Sequence, residues 1–526
     1  QRQMCIRDSC AERVTIRGGD TLFSIGDAPS AFYLVEAGRL SAVLPNGQLA
    51  GEIGRLEPIG EVGVLSGEVR GATVIALRDS LLYRFSREAY HAFVLDHPAA
   101  LLAIGQVIIT RMRQNAREVR RQTQQRHRSF TVFSGGVGLE GHRFARALAD
   151  QLGGFGRVAL VDASHVAEAL GPDAANTPPD TGAADIRLLE WLSRIEAAHD
   201  YLVLDADGPE HWRRRALHQA DRVLVLGEAA TPPLDALLAQ FQAAKVRAPV
   251  DLVLERRQAA GEVLNWRHRY DGVGHYFLRP GQDADLRSLV RQLAGRGLGV
   301  VLGGGGARGF AHIGLMRALA ELNLPVDLAG GTSMGAFVAA LQASGHDWRT
   351  MTEVMRDTFV RRNLLSDYLL PRVALIAGKK LRMRLVEIFG EVQVEQLPMP
   401  YFCVSTNLTR GCAMVHSTGP LAAWIATSMC VPGVAPPVAF EGNLLADGAV
   451  VNSLPTDIMQ GYGRGPIVAS DVSTEGSLSA AGIEGPDFEA VLHKNADGHR
   501  VSLIDILFRV STLTSESGTK ARAALA

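Results

Sequence analysis

Cysteine is scarce in this chain. Five cysteines scattered over 526 residues exclude a disulfide framework and offer no paired spacing for a zinc site. Cys403, Cys412 and Cys430 stand among apolar or small residues and read as buried thiols, which fits a reducing, cytoplasmic setting. Long apolar runs are missing too. No stretch reaches the roughly 18 apolar residues that a membrane-crossing helix needs, and no signal-peptide pattern opens the chain. Charge of one sign is missing: 54 Lys and Arg face 55 Asp and Glu, a net charge of −1, which argues against nucleic acid as a partner. No acidic cluster has the spacing of a calcium loop, and no metal or cofactor is expected.

What the chain has is length and glycine. With 526 residues it is too long for one core, so two to four domains are expected. Some of its 55 glycines stand at two turns that an esterase would need, in the right order. The first is Gly304-Gly305-Gly306-Ala307-Arg308-Gly309, between the strand pattern 298–302 and a helical pattern from Phe310 to Leu322. A strand, glycine loop and helix start aim several backbone N–H groups at one point, which suits an oxyanion. A nucleotide phosphate is the alternative, but no lysine follows the glycines in the P-loop manner.

The second turn is Gly331-Thr332-Ser333-Met334-Gly335. It has the G-x-S-x-G form that puts a serine on a sharp strand-to-helix turn. Gly331 and Gly335 flank the serine where Cβ atoms would clash. Ser333 would then sit at a helix N-terminus, where the dipole favours negative charge. Far downstream, Asp447-Gly448 lies within Leu445–Asn452. Oxyanion donors, nucleophile and base are thus all present, without an evident histidine. His312 follows the first loop and reads as a structural, hydrogen-bonded residue. His346 and His416 have no motif around them and read as surface or loop residues.

The ordered set GGGARG, GTSMG and DGA resembles the patatin-like phospholipase family. Residues 311–315 (AHIGL), 426–437 (ATSMCVPGVAPP) and 452–455 (NSLP) extend the likeness, which covers about residues 298–475. The resemblance implies a Ser333–Asp447 dyad, with backbone amides of Gly304, Gly305, Gly306 and Arg308 as the oxyanion hole. A direct dyad requires the carboxylate to be close to the serine and desolvated, so that its basicity rises.

Residues 11–115 show short strand patterns broken by Gly, Asp and Pro, as in a β-roll, closed by an apolar helix near 101–112. Residues 59–65 (IGEVGVL) and 69–74 (VRGATV) resemble the phosphate-binding cassette of cyclic-nucleotide-binding domains. The resemblance implies that Gly60 and Ala72 frame the site, Arg70 pairs with a cyclic phosphate and Glu61 accepts from the ribose. Gly63, Ser66 and Gly71 depart from the commoner residues, and a roll kept for docking alone is the alternative. No helix-turn-helix pattern follows.

Residues 116–129 form a basic linker within an Arg- and Gln-rich run, solvated or touching anionic headgroups. Residues 130–297 alternate strands and helices. Gly136 to Arg143 has a P-loop frame in which His142 replaces the lysine and Arg143 the Ser/Thr. A degenerate P-loop or Rossmann-like domain, structural rather than hydrolytic, is the reading. The hydrolase domain takes residues 298–526. The fold class is therefore multidomain α/β: an N-terminal β-roll, a middle Rossmann-like domain and a C-terminal α/β/α hydrolase domain.

This order resembles bacterial relatives of neuropathy target esterase. It implies hydrolysis of phospholipid or lysophospholipid esters at a membrane surface, peripheral on its inner face, with a cyclic nucleotide as candidate regulator. A soluble carboxylesterase or thioesterase with the same dyad is one alternative. A non-catalytic ligand-sensing regulator is another, and it would require loss of the nucleophile, base or oxyanion loop. Residues 367–377 (DYLLPRVALIA) and Trp424 could shape an acyl groove or touch lipid, while Leu369, Leu370, Val373, Leu375 and Ile376 could equally be core. Gln1 to Ser9 (QRQMCIRDS) matches nothing that follows and reads as translated adapter sequence. The chain stops inside a helical, polar run, so a fragment is expected and a lost N-terminal anchor is allowed.

Overall fold

The computed structural model describes residues 11–47, 49–96, 128–178, 182–256, 261–362, 364, 366–370, 372–472, 506, 507, 509 and 510. The expected apolar helix near 101–112 and most of the basic linker lie outside them. The chain divides into two compact units between Leu286 and Arg287.

The first unit opens with the β-roll, two four-stranded antiparallel sheets. Val35, Leu40, Ile53, Ile59, Val74, Ala76 and Leu82 fill the space between them. The short helix Glu61–Ser66 follows Gly60, whose φ of 76° is one that only glycine adopts freely. The same unit continues into a six-stranded, all-parallel sheet. Its order is Val158–Val161, Tyr201–Asp205, Ser129–Ser134, Arg222–Glu228, Val250–Glu255, Gly272–Leu278. The central strands read as continuous apolar runs because helices cover both faces of such a sheet. Residues 223–226 and 252–254 are fully buried.

Roll and parallel sheet are joined through buried ions. Asp79 accepts from Arg17 at 3.1 Å, and its other oxygen lies 3.0 Å from His218 Nδ1. Arg215 bridges Asp79 and Asp185, and Arg17 also reaches Asp185 at 2.6 Å. Burial would raise the Asp79 carboxyl, but His218, Arg215 and Arg17 overcome it and hold the group down to about 2.

The second unit is built on a seven-stranded mixed sheet. Gly299–Leu302 lies next to one edge, parallel to Leu328–Thr332 on its inner side and to the edge strand Ile467–Ser470 on the other. The strand Tyr401–Asn407 then pairs with two strands along one edge. Its first half runs parallel to Leu328–Thr332, up to Thr332 opposite Val404. Its second half runs antiparallel to Asn443–Asp447, starting with Asp447 opposite Ser405. Cys412–His416 takes the other edge. The helix Met334–Ala343 is buried along almost its whole length, and the core gathers around it.

Arg215 supports two buried carboxylates in the first unit. Arg215→Met is therefore expected to destabilise that unit by about 3–5 kcal/mol, because an unpaired buried charge costs more than a pair contributes. Urea unfolding of the full chain, followed by tryptophan fluorescence, checks this; an unchanged first transition would refute it.

Candidate active site

The site forms where two strands meet end to end on the strand Tyr401–Asn407. Thr332 is the last residue paired before Ser333, and Asp447 pairs with the next position along. Adjacent places on one strand thus bring together residues 114 apart in sequence. Ser333 Oγ donates to Asp447 Oδ2 at 2.7 Å. Both side chains are buried, at 4% and 2% exposure.

The glycines around the serine answer to close backbone approach. A Cβ on Gly331 would lie 2.6 Å from the Leu302 carbonyl oxygen, and one on Gly335 would strike the same atom. A Cβ on Gly448 would strike the Val404 carbonyl. Ser333 itself takes φ 55°, ψ −123°, a region costing a non-glycine residue about 1–3 kcal/mol. Part of what holds it there is the end of the helix Leu421–Ser428. Ser333 N–H donates to Ser428 Oγ at 2.9 Å, and Ser428 Oγ donates to the Val404 carbonyl at 2.6 Å. Two residues on, the Cys430 carbonyl accepts from Asp447 N–H at 2.8 Å. One short segment therefore braces both members of the pair. Sequence reading quoted this segment as a motif but gave Ser428 no role, because a hydroxyl's partners across 95 residues are set by the fold.

Asp447 has no cation partner among the described residues. Its Oδ1 accepts from Ala449 N–H at 2.8 Å and its carbonyl accepts from Thr406 Oγ1 at 2.9 Å. Burial dominates and pushes the carboxyl up to about 6, with the Ser333 and Ala449 bonds pulling the other way.

The glycine loop lies against the nucleophile: a Cβ on Gly304 would be 3.4 Å from Ser333 Cβ. Two of the four expected oxyanion donors are already used. Gly304 N–H donates to the Ser453 carbonyl at 3.0 Å, and Arg308 N–H to the Gly305 carbonyl at 3.2 Å. Gly305 and Gly306 remain, at the start of the short helix Gly306–Phe310, where first-turn N–H groups have no intrahelical acceptor. His312 is fully buried behind this loop. Its Nε2 meets the Gly303 carbonyl and its Nδ1 meets Ser470 Oγ, both at 2.9 Å, so it tethers the loop to the sheet. Burial lowers its pKa.

Three expectations are corrected. Cys412 is exposed rather than a buried thiol. His416 is not a surface residue: it is buried, bonded to Ser405 Oγ at 2.7 Å and stacked on Trp424 with ring centroids 4.0 Å apart. Burial pushes its pKa down to about 4. Trp424 is core, with its indole N–H on the Thr418 carbonyl at 2.8 Å, rather than part of a lipid-facing groove.

In the roll, Arg70 and Glu61 are both buried. Arg70 donates to the Gly60 carbonyl at 2.7 Å and to the Ala31 carbonyl, and lies over the Phe23 ring. In the middle domain, Asp207 stands against Gly141 at the start of the helix Gly141–Leu152, the place a P-loop keeps for phosphate. His142, in the lysine position, is bonded to Asp205 at 3.1 Å. Two carboxylates beside that helix start oppose an anionic ligand. Among the described residues no cluster of His, Cys, Asp and Glu could hold a metal ion, and no helix is long and apolar enough to cross a membrane.

A sheet carrying a serine elbow, a buried carboxylate and a glycine loop in this order defines an ester hydrolase of the patatin-like phospholipase class, and the family model of that description matches residues 300–459. The model of the cyclic nucleotide-binding domain matches residues 13–97, and that of the Neuropathy Target Esterase family P-loop like domain matches residues 127–289. An uncharacterised NTE family protein of Mycobacterium bovis is 30% identical over 88% of this chain and 76% of its own. The chain belongs to the Neuropathy Target Esterase family. Human patatin-like phospholipase domain-containing protein 6 is 29% identical over 90% of the chain, and a lysophospholipase of Aspergillus fumigatus is 28% identical over 89%. The chain spans 38% and 36% of these two longer proteins.

Ser428→Ala removes the acceptor for Ser333 N–H. It is expected to lower kcat about 10–100-fold with little change in KM, as small displacements of a reacting group do. Ser428→Thr, which keeps the hydroxyl, recovers most of the loss. Equal kcat in the alanine variant would show that the brace does not position the nucleophile.

Proposed function

We propose that the chain hydrolyses carboxylic esters of lysophospholipids and phospholipids through a Ser333–Asp447 dyad. The observation that carries this is the direct 2.7 Å bond between Ser333 Oγ and a carboxylate raised by burial to about 6. That value approaches the roughly 6.5 of an ordinary imidazole, so burial gives the carboxylate the basicity that a histidine supplies in a triad. Ser333 Oγ attacks the ester carbonyl as its proton passes to Asp447 Oδ2. The N–H groups of Gly305 and Gly306 hold the oxyanion. Collapse breaks the ester C–O bond, and Asp447 returns the proton to the leaving alcohol. A water then loses its proton to Asp447 and attacks the acyl-serine; the acyl–Oγ bond breaks, Asp447 returns the proton to Ser333 Oγ, and the fatty acid leaves. The lipid class rests on the patatin-like phospholipase domain and on the relative named as a lysophospholipase. A membrane surface is the natural place for such a substrate.

The roll is proposed as a regulatory cyclic-nucleotide site. Arg70 is a buried cation whose bonds go to carbonyls, and its Nε has no partner. No ion pair to a carboxylate holds it among the described residues. Burial lowers its pKa, with Tyr33, Asp27 and Glu61 opposing. A cyclic phosphate would supply the counter-charge. Calorimetry with cAMP and cGMP tests this: binding lost in Arg70→Ala supports it, and no heat at millimolar ligand ends it.

Fatty-acid release from lysophosphatidylcholine by the full chain is expected. Ser333→Ala and Asp447→Asn should each reduce it by about 10⁴-fold or more, while His312→Gln retains substantial activity if the protein stays folded. Loss confined to His312→Gln would overturn the dyad. The base must be ionised to work, so kcat/KM should fall as pH drops through about 6. The sign for stability is opposite. The folded pKa lies above the unfolded value, so stability should decline as pH rises from about 4 to about 6 and level off above. Asp447→Asn should remove that decline, which thermal unfolding across the window would detect.

A further inference from the structure

Residues 367–370 and 372–377 run antiparallel to each other beside the candidate active site. Tyr368 bridges to Ile376, Leu369 N–H donates to the Leu375 carbonyl at 2.9 Å, and Ala377 N–H donates to the Asp367 carbonyl at 2.8 Å. The second stretch is tied inward. Leu375 and Ile376 N–H groups donate to the Gly433 and Val434 carbonyls, each at 3.0 Å. Ile376 packs with Cys430 and Ala435, and the Cys430 carbonyl holds Asp447. Other side chains of the segment face water: Tyr368, Leu370 and Val373 are 78%, 74% and 67% exposed. Large apolar side chains clustered in water mark a surface that something else covers.

Charge says what covers it. Between residues 360 and 384 there are seven Lys or Arg and one acid, Asp367, in a chain whose net charge is −1. Arg372, Lys379, Lys380 and Arg382 have no carboxylate partner among the described residues, and all four are exposed. Asp367 turns its Oδ2 to the N–H groups of Lys379 and Lys380, at the start of the helix Lys379–Phe389. Exposed apolar side chains with a tyrosine among them and cations around match an anionic lipid interface, where tails take the first and headgroups the second. A second copy of the same cationic face would repel it.

We propose that the segment 367–377 seats this unit on an anionic phospholipid surface, placing the mouth of the ester site at the headgroups. The proposal rests on the lipid-ester reading for its purpose, but its test does not. The full chain carrying Ser333→Ala, which spares the lipid, is floated with phosphatidylcholine vesicles made with or without phosphatidylglycerol. Phosphatidylglycerol should raise the bound fraction by about tenfold or more. Adding Leu370→Asp or Tyr368→Asp should reduce binding about tenfold. Lys379→Glu with Lys380→Glu should remove the preference for phosphatidylglycerol. With Ser333 intact, Leu370→Asp should slow hydrolysis of vesicle lipid by a similar factor and leave hydrolysis of water-soluble p-nitrophenyl butyrate unchanged. Binding unaffected by Leu370→Asp, or indifferent to phosphatidylglycerol, would overturn the proposal. So would a dimer that Leu370→Asp dissociates, since the face would then be an interface between copies. Failure of vesicle binding leaves the ester reading standing, and absence of ester hydrolysis leaves the flotation result standing.

Discussion

The pairing along the strand Tyr401–Asn407 is the constraint on which the site depends. A parallel neighbour ends opposite Val404 and an antiparallel neighbour begins opposite Ser405, on the same edge. At this junction the Val404 carbonyl accepts from Ser428 Oγ at 2.6 Å. The same hydroxyl accepts the Ser333 N–H, so the junction and the nucleophile are held by one side chain. The three neighbouring glycines follow from it. Backbones this close to the Leu302 and Val404 carbonyls leave no room for Cβ atoms at positions 331, 335 and 448.

Burial then sets the chemistry. A carboxylate removed from water and given no cation is a stronger base than one in solution. Asp447 meets that condition because its partners are one hydroxyl and one amide N–H. The proposed proton transfer uses neither of the two buried histidines of this unit, His312 and His416. His312 has both ring nitrogens committed to the loop and the sheet. His416 is held neutral by burial, between Trp424 and the Ser405 hydroxyl. Both act as scaffolding: one holds the glycine loop, and the other backs the strand position opposite Asp447.

Legibility in the sequence followed the range of the interactions. Gly331, Ser333 and Gly335 could be read because their constraint is local, a sharp turn between strand and helix. Asp447 could be read because its own short motif surrounds it. The oxyanion donors could not be sorted by sequence alone. Gly304 and Gly305 are alike as residues, and only the fold shows that the first N–H goes to Ser453. His416 and Trp424 were misread because stacking across eight residues and burial under Phe440 depend on how strand and helix are packed. The apolar run 368–376 gave no clue to its division. The structure turns Leu370 and Val373 outward and Ala374 and Ile376 inward. The ionic joint in the first unit was also invisible, since Asp79 and Arg215 lie 136 residues apart.

That joint bears on what the roll can do. Arg78, on the turn just before Asp79, reaches Glu196 at 2.8 Å, and Arg39 reaches Asp221 at 2.9 Å. With Asp79 and Arg17, these ions fasten the roll to the parallel sheet through groups that are largely buried. Breaking such pairs one partner at a time is costly, which holds roll and sheet together. A ligand at the proposed Arg70 site would therefore act on the cassette itself. Gly60, in its left-handed conformation, carries the carbonyl that Arg70 now holds, and it starts the helix Glu61–Ser66. An anion that draws Arg70 away releases that carbonyl and the turn it fixes. In the proposed nucleotide site the short helix and its glycine would be the part that shifts, against the frame that the ionic joint supplies.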